Sequence, residues 1–135
     1  MSDILTGRCF CGAMRYEVEN SFDKMFFCSC DQCRQITGSA FASNLFTDSA
    51  KFRWTQGEEH LGRYDLPGRK LARTFCKICG SGVPKISPNG KQVMVPAGGL
   101  EGDPNVSIRR RIFQSERPHW HQQYEFYEGF DQFPV

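Results

Sequence analysis

The chain has 135 residues, 39% of them hydrophobic with 12 phenylalanines, and a formal net charge of +2. That length fits one domain, residues 1–135, able to bury roughly two-thirds of the surface its unfolded form exposes. The near balance of charge gives no reason to expect nucleic acid or a membrane as partner, and no stretch approaches the ~20 apolar residues of a membrane span. Met1 to Thr6 carry neither the basic n-region nor the apolar h-region of a signal peptide, so the expectation is a soluble cytoplasmic protein.

Taken in chain order, apolar residues alternate more than they follow a helical period. Met14, Tyr16 and Val18 alternate with Arg15, Glu17 and Glu19, which predicts a half-buried strand. Short strands follow at Met25 to Phe27, Phe41 to Phe46, Lys51 to Thr55, His60 to Tyr64, Lys70 to Phe75, Gln92 to Val95 and Ser107 to Phe113. Turn clusters such as Asp65-Leu-Pro-Gly68 and Ser87-Pro-Asn-Gly90 separate them. Many short strands at this spacing predict an all-β domain. One short helix is expected, N-capped by Asp31, running from Gln32 to Thr37 and stopped by Gly38. On a strand, Arg109-Arg110-Arg111 reads as a solvated edge. Tyr124, Phe126, Tyr127, Phe130 and Phe133 read as core or lid packing.

The seven cysteines form three groups: Cys9-x-Cys11-Gly12, Cys28-x-Cys30-x-x-Cys33 and Cys76-x-x-Cys79-Gly80. In a reducing compartment such spacings favour metal over disulfide, and zinc first among metals. The alternatives are buried unligated thiols or a redox C-x-x-C, and the latter expects a βαβ context that the residues around Phe75 to Gly82 lack. Structural zinc takes four protein ligands; catalytic zinc keeps three and an exchangeable position. Two Cys-Gly turns from distant parts of the chain, Cys9/Cys11 and Cys76/Cys79, make one closed site. The middle group supplies three thiols within six residues, which makes it the candidate open site.

These groups, with Gly7-Arg-Cys9-Phe-Cys11-Gly12, Cys28-Ser-Cys30-Asp-Gln-Cys33-Arg34, Thr37-Gly38-Ser39-Ala40-Phe41 and Phe75-Cys76-Lys-Ile-Cys79-Gly80-Ser81, resemble the glutathione-dependent formaldehyde-activating enzyme family. Pro96-Ala-Gly98-Gly-Leu100 and Ile112-Phe113 through Arg117-Pro-His-Trp120 extend the resemblance over nearly the whole chain. It implies a zinc-containing fold of complexly folded sheets, shared with the small Rab-binding chaperone proteins. It implies a structural zinc on Cys9, Cys11, Cys76 and Cys79, and a second, more weakly held zinc on Cys28, Cys30 and Cys33 at the active site. The implied activity is addition of glutathione to formaldehyde, a carbon-sulfur lyase type of chemistry. Ser29 stands where many members have His, and Arg117 where they often have Lys.

Zinc on three thiolates carries a net negative charge and suits a soft sulfur ligand better than activation of water. Glutathione brings two carboxylates, for which Arg117, Arg34 or the triple arginine are candidates, with Trp120 beside Arg117. His119 and His121 are candidate proton carriers, though they also read as surface residues flanking Trp120; His60 reads as a solvent-facing strand residue. Two other functions compete with the lyase reading: a non-catalytic zinc-supported binding module, and a metal or thiol sensor.

Overall fold

The computed structural model describes residues 3–134; Met1, Ser2 and Val135, at the ends of the expected 1–135 domain, lie outside the described residues. The strands are β1 (Ile4–Arg8), β2 (Arg15–Glu19), β3 (Lys24–Cys28), β4 (Ala42–Asp48), β5 (Phe52–Gln56), β6 (Leu61–Asp65), β7 (Ala72–Cys76), β8 (Lys85–Ile86), β9 (Gln92–Pro96) and β10 (Arg109–Ile112). The helix α1 (Asp31–Thr37) lies between β3 and β4. The all-β expectation with one short helix holds.

Two strands fall outside the sequence expectations, for physical reasons. In β1 the one buried position is Gly7, and the Tyr16 ring lies directly over it. The inward face is marked by a missing side chain, so alternation is invisible. β8 is two residues long, too short for any period.

Three sheets result: β1-β2-β5, β10-β3-β4-β9-β8 and β6-β7. Among the described residues all strand pairings are antiparallel except β10 on β3, which is parallel and places Ile112 opposite Cys28. The pleat of the five-stranded sheet divides its residues cleanly. Met25, Leu45, Val93 and Val95 face a core completed by Tyr16 and Val18 of the three-stranded sheet. Tyr16, Phe52 and Trp54 pack there with ring centroids 5.2 to 5.8 Å apart. Full burial of Leu45 alone contributes about 2 kcal/mol. A second, smaller core of Cys9, Met14, Cys76 and Val83 forms where the three-stranded sheet meets β6 and β7.

Three local expectations are corrected. The N-cap of α1 is Cys30, with extended backbone and a sulfur that accepts from the Cys33 N–H at 3.4 Å; Asp31 is instead the first helical residue. Gly38 does close the helix, at φ 64°, donating to the Arg34 carbonyl at 2.8 Å. His60 sits in a 3-10 turn (Glu58–His60) ahead of β6, 3.6 Å from Glu59. The C-terminal aromatics are not core: Phe126 and Phe133 are 81% and 90% exposed, and Tyr124, Tyr127 and Phe130 are more than half exposed. They follow β10, the last strand, in a segment of 3-10 turns that makes no sheet pairing. The triple arginine does occupy an exposed sheet edge.

Candidate functional site

Cys9 and Cys11 leave β1 in a tight turn, and Cys76 and Cys79 leave β7 in another. Hydrogen bonds define both turns: Gly12 N–H to Cys9 C=O at 3.1 Å, and Gly80 N–H to Cys76 C=O at 2.8 Å. Both glycines have φ of 80°, a conformation that side chains disfavour. The four sulfurs lie within 4.8 Å of one another. Cys9 Sγ is 3.6 Å from Cys11 Sγ, which is 3.9 Å from Cys76 Sγ. Four sulfurs held at the zinc–thiolate distance in a tetrahedron are about 3.8 Å apart, so this donor set fits that ion in number, chemistry and spacing.

Polar groups already face these sulfurs. Met14 N–H donates to Cys9 Sγ at 3.3 Å and Ile78 N–H to Cys76 Sγ at 3.4 Å. The Ser81 hydroxyl, 3.2 Å from Cys79 Sγ, together with the Cys11 and Ser81 backbone, pulls the Cys79 thiol down to about 5. The Ala13 backbone also pulls on Cys11, but partial desolvation and the three neighbouring sulfurs outweigh it and push Cys11 up to about 11. Four thiols so close do not all ionise without a cation among them. The cluster joins the three-stranded sheet to the β6-β7 sheet across the smaller core.

The middle group is built differently. Cys28 ends β3, Cys30 caps α1 and Cys33 stands in its first turn, and their sulfurs also lie within 4.8 Å of one another. Burial would raise Cys30, but the Cys33 N–H, then the Cys28 and Cys33 side chains, outweigh it and lower it. Burial, followed by the neighbouring thiols, drives Cys33 up, and burial does the same to Cys28. The three thiols are therefore unequal, Cys30 shifted toward ionisation and Cys28 and Cys33 away from it. Three soft donors with a fourth direction open suit a metal that exchanges a ligand.

The end of β10 and the segment after it pack beside this group. Ser29 is buried between Cys28 and Cys30; its N–H donates to the Ile112 carbonyl at 3.2 Å and its hydroxyl accepts from Gln114 Nε2 at 3.4 Å. Glu116 Oε1 accepts from the Asp31 N–H at 3.1 Å, and Arg34 Nε donates to the Ser29 carbonyl at 3.1 Å.

Both cysteine clusters border one groove of about 930 Å³, lined by Cys9 at one place and by Cys28, Cys30 and Cys33 at another. Lys85 and Arg73 face it. Lys85 Nζ donates to the Ala72 carbonyl at 3.0 Å, and burial, then the Arg63 charge, holds this ammonium below the ordinary lysine range, with Cys33 opposing. Arg73 donates to the Ile36 carbonyl at 3.0 Å and the Gly80 carbonyl at 3.2 Å, tying α1 to the four-thiol turn.

The structure does not bring Arg117 or Trp120 to that groove. Arg117 lines a separate hollow of about 240 Å³ with Ser29, Phe41, Arg111 and His121, and its guanidinium is engaged by the His121 carbonyl at 2.9 Å. Trp120 is 61% exposed. His121 packs in the same hollow against Phe41, ring centroids 5.5 Å apart at 50°, and Phe41 lines both the hollow and the groove. Lys85 and Arg73 escape sequence reasoning because nothing local marks them: one lies on a two-residue strand, the other in an ordinary alternating strand.

Three comparisons bear on this arrangement. Residues 4–116 match the family described as glutathione-dependent formaldehyde-activating enzyme. A Halomonas elongata protein, provisionally named as a glutathione-dependent formaldehyde-activating enzyme, is 30% identical over 87% of this chain and 79% of its own length. The crystal structure of a Rhodobacter sphaeroides protein superposes with a TM-score of 0.60 at 26% identity, covering 78% of this chain and 98% of that one.

Proposed function

The chain belongs to the glutathione-dependent formaldehyde-activating enzyme family, and from that premise we propose that residues 1–135 form one zinc-containing domain that adds glutathione to formaldehyde, giving S-(hydroxymethyl)glutathione. The observation that carries the reading is the three-thiol cluster opening on a groove whose volume, about 930 Å³, matches small-molecule sites. Cys9, Cys11, Cys76 and Cys79 would hold a structural zinc; Cys28, Cys30 and Cys33 would hold a second. When bound at the three-thiol cluster, zinc supplies a Lewis centre that favours the thiolate form of a visiting sulfur.

The reaction makes one carbon–sulfur bond: the glutathione sulfur gives up its proton and attacks the carbonyl carbon, and the carbonyl π pair moves to oxygen, which takes a proton. Lys85 is the groove-facing group with a proton to give, and its lowered ammonium pKa makes it a better acid than a solvated lysine. Arg73 is anchored through two of its N–H groups, leaving others to meet a carboxylate. The Ser29, Gln114 and Asp31–Glu116 contacts keep the three thiols in register. Seven cysteines grouped at zinc-ligand spacing suit a reducing compartment, and the cytoplasm is the proposed location.

Calorimetry with glutathione and NMR of labelled formaldehyde test binding and rate separately. The reading requires saturable glutathione binding and faster adduct formation than in protein-free buffer. Binding without acceleration would remove the enzyme and leave a zinc-supported thiol-binding module or sensor.

A further inference from the structure

The open face of the five-stranded sheet is the floor of the groove, and it is far more apolar than formaldehyde requires. On β3, Phe26 shares this face with Cys28, two residues on. Alternate residues on a strand stand about 7 Å apart, so the Phe26 side chain begins one step from the three-thiol cluster. Across β4, Asn44 pairs with Phe26 and Phe46 with Lys24, and Met94 of β9 pairs with Phe46. Phe26, Phe46 and Met94 therefore form one continuous apolar strip, only partly buried, on the face opposite the core.

The strip has a built geometry. The Phe26 and Phe46 rings sit 5.6 Å apart at 58°, with Lys24 Nζ 5.1 Å and 5.3 Å from their centroids. The ammonium lies over both rings and holds the pair, and a ligand would meet the ring edges and faces that line the groove beside Cys28. Core packing explains neither ring, because the core is served by Met25 and Leu45 on the other face.

We propose that this strip is a subsite for an apolar, foremost aromatic, substituent on the aldehyde carbon. The reaction is the same addition: the sulfur–carbon bond forms at the aldehyde carbon, the carbonyl electron pair goes to oxygen, and a proton follows. The substituent takes no part in the bond changes; it lies on Phe26 and Phe46 while the carbon meets sulfur near Cys28. The substrate class is thus aryl or longer alkyl aldehydes, with formaldehyde as the member that leaves the strip uncovered. This inference rests on the glutathione reading above.

S-benzylglutathione and S-methylglutathione, stable analogues of the two adducts, separate the ideas by calorimetry. The benzyl analogue should bind about tenfold tighter than the methyl one, a preference that Phe26→Ala abolishes and Phe26→Leu largely keeps. In turnover, Phe26→Ala should lower the ratio of kcat/KM for benzaldehyde to that for formaldehyde by about tenfold. Glutathione binding and formaldehyde turnover with equal affinity for the two analogues would overturn the subsite alone. Failure of glutathione itself to bind would overturn the parent reading and this one with it.

Discussion

Cys11 and Cys76, 65 positions apart in the chain, bring their sulfurs to 3.9 Å. Cys9 and Cys79 complete the same cluster, and the Phe10 N–H donates across it to Ser81 Oγ at 2.9 Å. Local sequence cannot hold that contact; a shared ligand can.

Replacing Cys76, fully buried in the smaller core, should therefore be severe. A structural zinc supplies on the order of 10 kcal/mol to folding, comparable to the whole stability of a domain. Cys76→Ser is expected to be insoluble or unfolded by circular dichroism, and Cys79→Ser likewise. A folded variant with unchanged Tm would show that the four-thiol cluster does not hold the sheets together.

Cys30→Ser should behave in the opposite way. Its ligand partners lie within six residues, so losing them unties no distant strands. The fold should survive, bound metal should drop from about two per chain to about one by elemental analysis, and formaldehyde turnover should vanish. Global unfolding of this variant would reverse the roles given to the two clusters.

Lys85→Met tests the proposed acid and carries a pH signature. The folded protein lowers this ammonium's pKa, so at pH values between that lowered pKa and about 10.5 the unfolded chain binds more protons than the folded one. Stability from this group therefore rises as pH increases through that window and is absent below it. The variant should lose this rise in chemical denaturation at several pH values, and its kcat should fall by about a hundredfold. Unchanged kcat would exclude Lys85 as proton donor.

Phe126→Ser and Phe133→Ser check the placement of the C-terminal aromatics. At 81% and 90% exposure neither ring has much burial to lose, so stability by urea denaturation should change by no more than about 0.5 kcal/mol. A loss of 2 kcal/mol or more would mean that these rings pack.

What could be read from residues alone follows how local each signal is. Tyr16 and Val18 alternate with Arg15, Glu17 and Glu19, so their strand and its inward face were visible. Leu45, Val93 and Val95 stand instead beside Phe46 and Met94, which leaves both faces of β4 and β9 apolar and hides the inward one. The three cysteine groups were visible by spacing. The α1 cap was misplaced because Asp31 is the commoner capping residue, and nothing nearby announces that a sulfur would accept the Cys33 N–H. The cations of the groove were hidden for another reason. Lys85 and Arg73 reach the three-thiol cluster only through the pairing of β8 with β9 and the packing of β7 against α1, contacts that no short window contains. In sequence Arg117 stands out for its charge and its place ahead of Trp120 in the resemblance; the fold sets it in the hollow lined by Ser29, Phe41 and Arg111.

The parallel register of β10 on β3 orders events during synthesis. Asp31 and the Glu116 that closes on its N–H are separated by 85 positions. A ribosome moving at about 5–20 residues per second needs on the order of 4–17 s to cover that distance. Cys28, Cys30 and Cys33 thus emerge together, and stand uncovered by β10 for seconds before the parallel pairing forms. For that interval the three sulfurs lack the Ser29–Gln114 and Asp31–Glu116 contacts that flank them in the finished fold.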